Sequence, residues 1–489
     1  MSTYDFVIAD AHVIDPANGI DRITKVAVAD GKIAAVGDEI DLAEAAKVIS
    51  AQGSYVSPGW FDIHVHTYSH LAFSDPDTVG VYHGVTSMVD AGGGGIWTYE
   101  PMRRYWDGRA KTDIYAYLMF HPAGIYLGRR RGQPNDGWLN DLRAPMDDWK
   151  EIIERNSDRI IGVKTAVFSR SGWPLLEIPQ AVTKEMDMPL YIHIGDQLGG
   201  PRGENITPEA IGSLKEGDVV THVYNGNYGN LLDDDNDAII PQAYEAKQRG
   251  VWFDVGFGNL NFTFEVFDKL NAAGLTADVI STDLQGENVT GPTFSLAHIM
   301  SIFLNHGFSL KEVVERVTSK AAQVYHMEDR IGALSVGRAA DITIFNVEDG
   351  DFVFRDSNGT KRSGRSMITP KLCVKNGEII ECDFEPGLTQ QNWSFMPVDE
   401  TSAPRIADLD HEQREFARGL AVDFQNVDWN SGRSIQTTFF GRIASTGIDE
   451  RKAHDTLYDA LLESRFCVPP GWLLKGMEKE EVLRRLAAL

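Results

Sequence analysis

Two histidines one residue apart, His64 and His66 in Asp62-Ile-His-Val-His-Thr67, are the first residues in this chain that point to chemistry. Side chains two apart on a strand project to the same face, so both imidazoles can reach one metal ion. Four further polar residues sit in or at the end of apolar runs: Lys164 in 160–167, His193 in 189–194, His222 in 219–223 and Asp283 in 279–283. Taken singly, such a histidine is ordinarily a hydrogen-bonded structural residue, and a charge in an apolar run needs a partner. Their spacing joins them. Lys164 and His193 are 29 residues apart, His193 and His222 again 29, and His222 and Asp283 61; that is one, one and two strand–helix units. His64 precedes Lys164 by 100 residues, roughly three such units. Four histidines, a lysine and an aspartate at commensurate intervals suit a divalent-metal site that activates water.

The elements that must position them alternate. Apolar, strand-like runs lie at 60–66, 85–91, 114–120, 160–167, 190–194, 219–224, 251–255 and 279–282, with helix-like segments at 208–215, 239–249 and 262–273, then 294–306 and 310–325. Strands alternating with helices predict a parallel sheet, and eight of them predict closure into a (β/α)8 TIM barrel, an α/β fold whose sites lie at the carboxyl ends of the strands. The barrel is expected over 58–335. On either side of it, short strands with turn residues (Pro16, Gly19, Asp30-Gly31) recur at 4–15, 25–37, 337–346 and 372–381. They predict a small β-sandwich domain built from both flanks, 1–57 plus 336–394. Beyond about residue 395 charged amphipathic helices at 410–424, 449–464 and 478–489 predict a helical C-terminal extension, 395–489.

Composition removes other classes. The 489 residues are 43% hydrophobic and 24% charged, as in an ordinary globular chain. A net charge of −25, from 46 basic and 71 acidic residues, repels phosphate backbones and anionic lipid. The expected partner is a small-molecule substrate, with neither nucleic acid nor membrane. The apolar run 6–14 is broken by Asp10 and His12 and is too short for a signal peptide or a membrane span. Three cysteines, Cys373, Cys382 and Cys467, without CxxC spacing, fit a reducing compartment, so a cytoplasmic location is expected. The tail aromatics Phe416, Phe424, Trp429, Phe439 and Phe440 read as core or subunit contacts, and a homo-oligomer is expected.

The set of HxH, lysine, two histidines and aspartate, with Pro58-Gly59 before it and Gly84-Val-Thr-Ser87 after the HxH, resembles the amidohydrolase superfamily. Gly337-Arg-Ala-Ala-Asp-Ile-Thr-Ile-Phe345 is similar to the strand by which such chains re-enter their β-sandwich. Val85-Thr-Ser-Met-Val-Asp-Ala-Gly92 and Ile280-Ser-Thr-Asp-Leu-Gln-Gly286, followed by the helical run 294–305, are most similar to the dihydroorotase-like deacetylase branch. The resemblance spans about residues 4–390. It implies two divalent metals, zinc or alternatively manganese or cobalt. His64, His66 and Asp283 would hold the buried metal, and His193 and His222 the more exposed one. Lys164 would carry a CO2-derived carbamate bridging the two, which requires a neutral amine first, a form favoured by burial in an apolar strand. A metal-bridging hydroxide would attack, with Asp283 taking its proton and delivering it to the leaving group. The reaction implied is cleavage of an amide or cyclic amide C–N bond. Ester or lactone hydrolysis (an O-deacetylase of a hydroxy acid) would use the same site, and a non-catalytic scaffold relative would ordinarily have lost ligands that this chain keeps. The cysteine ligand of D-aminoacylase relatives is missing, since no cysteine precedes position 373. Mononuclear deaminase relatives lack the lysine, so Lys164 argues against them.

Specificity would lie on the loops. Arg129, Arg130 and Arg131 follow the third run and could hold a substrate carboxylate bidentately; a solvated turn or subunit salt bridge is the alternative. Tyr224 and Asn225 directly follow the His222 run and could contact substrate, or simply form a turn.

Overall fold

The computed structural model describes the chain apart from residues 1, 69–73, 126–143, 169–173, 197–203, 234–235, 286–287, 290, 383–408, 430–431, 462–473 and 475–476. The N-terminal flank forms β1 (Phe6–Asp15), β2 (Ile20–Ala29), β3 (Lys32–Val36), β4 (Val48–Ser50) and β5 (Tyr55–Pro58). The middle follows with β6 (Trp60–Val65), β7 (Val85–Ala91), β8 (Asp113–Met119), β9 (Ile160–Val167), β10 (Leu190–Ile194), β11 (Val219–Thr221) and β12 (Trp252–Asp254). Finally β13 (Ile342–Arg355), β14 (Lys361–Lys375) and β15 (Glu378–Glu381) return to the first flank.

Strands β6 to β12 pair in sequence order, all parallel, as successive strand–helix units require. They are apolar runs rather than alternating ones because both faces are covered: every residue of β7 and of β10 is buried. Closure comes from 279–284, which bridges Asp254 through Val279 on one side and Val65 through Leu284 on the other. Asp283 N donates to His64 O at 2.6 Å, and Gly258 N to Thr282 O at 2.8 Å. The eighth run therefore closes the barrel without forming a regular strand. Its backbone turns at Asp283 (φ +51), just as His222 (φ +66) ends β11 at Thr221 where the apolar run continues to 224. Left-handed backbone at a residue other than glycine costs about 1–3 kcal/mol and collects at functional sites. Both strained residues are candidate ligands.

The sequence pattern predicts one helix over 310–325, but the structure divides it into Leu310–Arg316 and Ser319–Gln323. The barrel interrupts it: Arg316 O accepts from Ile280 N, and Val317 O from Phe61 N at 2.8 Å. Thr318 turns its hydroxyl back onto Val314 O at 2.6 Å.

The two flanks meet where β13 runs antiparallel to β5, Ile342 opposite Pro58 and Phe345 opposite Tyr55. The resulting mixed sheet has the order β15-β14-β13-β5-β1-β2-β3, with β4 beside β1. It is one sheet with apolar clusters on both faces: Ile8, Val13, Ile342 and Ile344 share one, Val7, Ala27 and Ile40 another. The tail forms helices His411–Asp423, Gly432–Thr446, Glu450–Leu461 and Lys479–Ala487 around its own core, in which Phe416, Phe424 and Phe439 are buried. The second of these carries glycine, three threonines and isoleucine, poor helix formers, so its sequence gives little helical signal. No helix among the described residues is long and apolar enough to cross a membrane.

Candidate metal centre

The six polar residues separated by up to 219 positions in the chain converge at the carboxyl end of the barrel. His64 lies in β6 with His66 just beyond it, Lys164 in β9, His193 in β10, His222 one residue past β11, and Asp283 in the closing segment. All six are buried. Asp283 Oδ1 lies 3.4 Å from His64 Nε2 and 3.2 Å from His66 Nε2. Lys164 Nζ lies 2.7 Å from that same His64 Nε2. The ring of His222 is 4.2 Å from that of His193 and 5.1 Å from that of His64, centre to centre. Donor atoms of His64, His222 and Asp283 lie within 4.8 Å of one another, close enough to share an ion.

Three of the rings, His222, His193 and His64, are each held through one nitrogen, which turns the other toward the centre. His222 Nδ1 donates to Gly256 O at 2.6 Å, and its buried Nε2 has no partner among the described residues. His193 Nε2 lies 3.2 Å from Gly195 O. His64 Nδ1 faces Tyr191 OH at 2.8 Å and Thr221 Oγ1 at 3.1 Å. A ring nitrogen tied to a carbonyl or hydroxyl fixes tautomer and orientation, the arrangement that surrounds metal-bound histidines. An orphaned buried nitrogen with neutral imidazoles and a carboxylate around it fits a divalent metal.

The charge states agree. Burial, then Lys164, holds His64 well below the usual imidazole range and His193 at about 3, and burial with the neighbouring rings does the same for His222. These rings are neutral and can ligate. Burial alone would raise the Asp283 carboxyl, but His64, His66 and Lys164 outweigh it and hold it well below the carboxylate range. The direction of the shift favours its ionised, proton-accepting form.

Several residues of this centre stand outside the HxH–Lys–His–His–Asp pattern. Asp254, at the end of β12, is fully buried and takes hydroxyl protons from Tyr191 (2.5 Å), Thr221 (2.7 Å) and Ser281 (2.6 Å). Burial lifts it to about 6 against the pull of those hydroxyls. Asn261 Nδ2 donates to Asp283 Oδ2 at 3.2 Å. Asp62 joins the closing segment to β6 by accepting from Thr282 Oγ1 at 2.6 Å and from His64 N at 3.2 Å. The signal for Asp254 was there: it lies within the apolar run 251–255, 32 residues after His222, one more unit in the same rhythm. Tyr191 precedes His193 by two and so shares its inward face.

Of the expected substrate contacts, Tyr224 and Asn225 lie among the described residues, and both are engaged within the fold. Tyr224 buries its ring against Phe262 and Phe267, with its hydroxyl donating to Asn271 Oδ1 at 3.0 Å and accepting from Ala277 N. Asn225 is buried and builds the turn after His222, donating to His222 O at 2.7 Å and accepting from Asn227 N. Arg129, Arg130 and Arg131 lie outside the described residues.

Gly256 shows how tightly the rings are fitted. A Cβ there would lie 2.3 Å from Thr221 Oγ1, 2.7 Å from His222 Nδ1 and 2.9 Å from His64 Nδ1, on a backbone with φ +48. Gly256→Ala is therefore expected to lower metal affinity by about 10–100-fold. Gly274→Ala, also at positive φ (+75) but with nothing within 4 Å, should leave it unchanged. Equal affinities for the two variants, by chelator competition, would rule the crowding out.

The amidohydrolase family model matches residues 55–366, which places the chain in that family. It is a metal-dependent hydrolase of C–N bonds other than peptide bonds. A deacetylase from Enterococcus faecalis is 31% identical over 388 residues, 77% of this chain and 99% of the relative. A deacetylase from Agrobacterium fabrum is 31% identical across 72% of this chain and 85% of its own length. Among solved structures, an adenine deaminase aligns with TM-score 0.68 and 30% identity, covering 77% of this chain and all of that one. A dihydroorotase aligns with TM-score 0.67 and 29% identity, covering 77% of this chain and 97% of that one.

Proposed function

We propose that the protein hydrolyses an amide or cyclic amide through a binuclear centre held by His64, His66, Lys164, His193, His222 and Asp283. The observation that carries this is the gathering of neutral imidazole donors around one ionised carboxylate and a buried lysine, all at the barrel's carboxyl end. His64, His66 and Asp283 would hold one divalent ion, zinc by the character of the donors, and His193 and His222 the other; Lys164, as its carbamate, would bridge them. Metals bound there would lower the pKa of a water and polarise the scissile carbonyl.

The chain's own groups do the rest. Asp283, with Oδ2 held by Asn261, accepts the proton of the attacking water and returns it to the leaving nitrogen. Gly256 O keeps the His222 proton on Nδ1, away from the centre. Burial of all six residues places their charges in a low-dielectric setting where they act more strongly than in water. Relatives named deacetylases and dihydroorotase favour an acyl or cyclic amide substrate. An anionic one would be met in part by Arg129, Arg130 and Arg131.

A panel of N-acyl amino acids, cyclic imides and O-acyl hydroxy acids tests this. Turnover is expected in one of the two amide arms, lost with a strong chelator and restored by zinc or manganese. Turnover confined to the O-acyl arm would replace the amide reading by the ester one, and turnover indifferent to chelation would end the metal reading.

A further inference from the structure

Lys164 Nζ lies 2.7 Å from His64 Nε2, but in the proposed centre it is a carbamate with no proton to offer there, so the six ligands do not themselves fix where the proton of His64 sits. Its Nε2 faces the centre, 3.4 Å from the Asp283 carboxylate. An ionised carboxylate at that distance draws a proton to Nε2, and a protonated Nε2 cannot ligate. Something must hold the proton on Nδ1 instead.

On the other side of the ring lie two hydroxyls, Tyr191 OH at 2.8 Å and Thr221 Oγ1 at 3.1 Å from Nδ1. Both give their protons to Asp254 Oδ2, at 2.5 and 2.7 Å, while Ser281 gives its own to Oδ1 at 2.6 Å. A carboxylate only accepts, and a hydroxyl has one proton to give. With those protons committed to Asp254, the Tyr191 and Thr221 oxygens can do nothing toward His64 but accept. The ring must then donate from Nδ1, which leaves Nε2 as a lone pair. The same carboxylate reaches the second ring, since Ser281 Oγ accepts from Gly256 N at 2.9 Å and Gly256 O takes the His222 Nδ1 proton.

From this geometry we infer that Asp254 is a positioning residue. Through Tyr191 and Thr221 it fixes His64 in the Nδ1–H tautomer and so opens Nε2 to metal. The link to metal rests on the proposed binuclear site; the tautomer itself does not. Asp254 lies behind the His64 ring, its Oδ2 3.6 Å from Nδ1 and beyond hydrogen-bond reach, and it ties together β10, β11, β12 and the closing segment at the point where the proposed ligands emerge.

The test uses two full-length variants. Tyr191→Phe/Thr221→Val removes both acceptors with almost no change of shape, and Asp254→Ala frees both hydroxyl protons to turn toward Nδ1. The tautomer is read from ring 15N shifts in metal-free protein labelled at histidine, with His64 picked out among the 13 histidines by its loss in His64→Asn. Because Lys164 Nζ also faces Nε2, these spectra are compared in a Lys164→Ala background. His64 should be Nδ1–H in that background alone and shift toward Nε2–H when either change is added. In the chain that keeps Lys164, each change should weaken zinc binding, by chelator competition, about 10–100-fold. A folded variant set in which His64 stays Nδ1–H, or in which zinc affinity is unchanged, overturns the inference. Should the unaltered chain bind no zinc, the metal reading fails separately while the 15N shifts still decide the tautomer.

Discussion

Lys164→Ala should give a folded chain that has lost one of its metals and on the order of 10³-fold or more in kcat/KM, about 4 kcal/mol of transition-state stabilisation. The fold survives because β9 is held by backbone pairing to β8 and β10, which the side chain does not enter. The stem packs beside Gly92, where an added Cβ would already meet Lys164 Cδ at 3.3 Å, so truncation leaves a small void rather than a clash. The chemistry is not expected to survive, because among the six proposed ligands only Lys164 could carry the proposed carbamate. A short carboxylic acid at high concentration should restore part of the activity by entering that void as a substitute bridge. Full rate and full metal content in Lys164→Ala would remove this residue from the centre.

Asp283→Asn is expected to lower kcat by about 10²–10⁴-fold. The amide keeps the shape, and its carbonyl oxygen can still accept from Asn261, so the closing segment should stay in place. What is lost is a group able to take a proton, and with it an anionic donor to one of the proposed metals. Its carboxylate is kept ionised by His64, His66 and Lys164, and no other carboxylate among the described residues contacts both HxH rings. With zinc supplied until the metal content matches the parent, the loss of proton transfer should alter kcat far more than KM. An asparagine variant with kcat within a few-fold of the parent would assign the proton transfer elsewhere.

Much of this centre could be read from the chain because a barrel repeats its unit length. Ligands on different strands then recur at near-multiples of one spacing, and burial of both sheet faces makes each strand a visible apolar run. The pattern was less informative where backbone and side chain part company. The eighth run closes the barrel by bridges at Val279 and Leu284 while Ser281 and Thr282 spend their hydroxyls on Asp254 and Asp62. The helical period across 310–325 gave no warning that Arg316 and Val317 would lend their carbonyls to the barrel. Tyr224 and Asn225 follow a proposed ligand in sequence, yet the left-handed turn at His222 sends the first into the helix layer and the second into the turn itself. Asp254 was legible in its spacing; its partnership with Tyr191 and Thr221 required the three strands to be side by side.

The central claim is the pair of metals. Chain stripped by a strong chelator, reloaded with zinc in the presence of bicarbonate and freed of excess ion should contain close to two metals by elemental analysis, with activity rising as the second is filled. Full activity at one metal per chain or fewer would contradict the binuclear account.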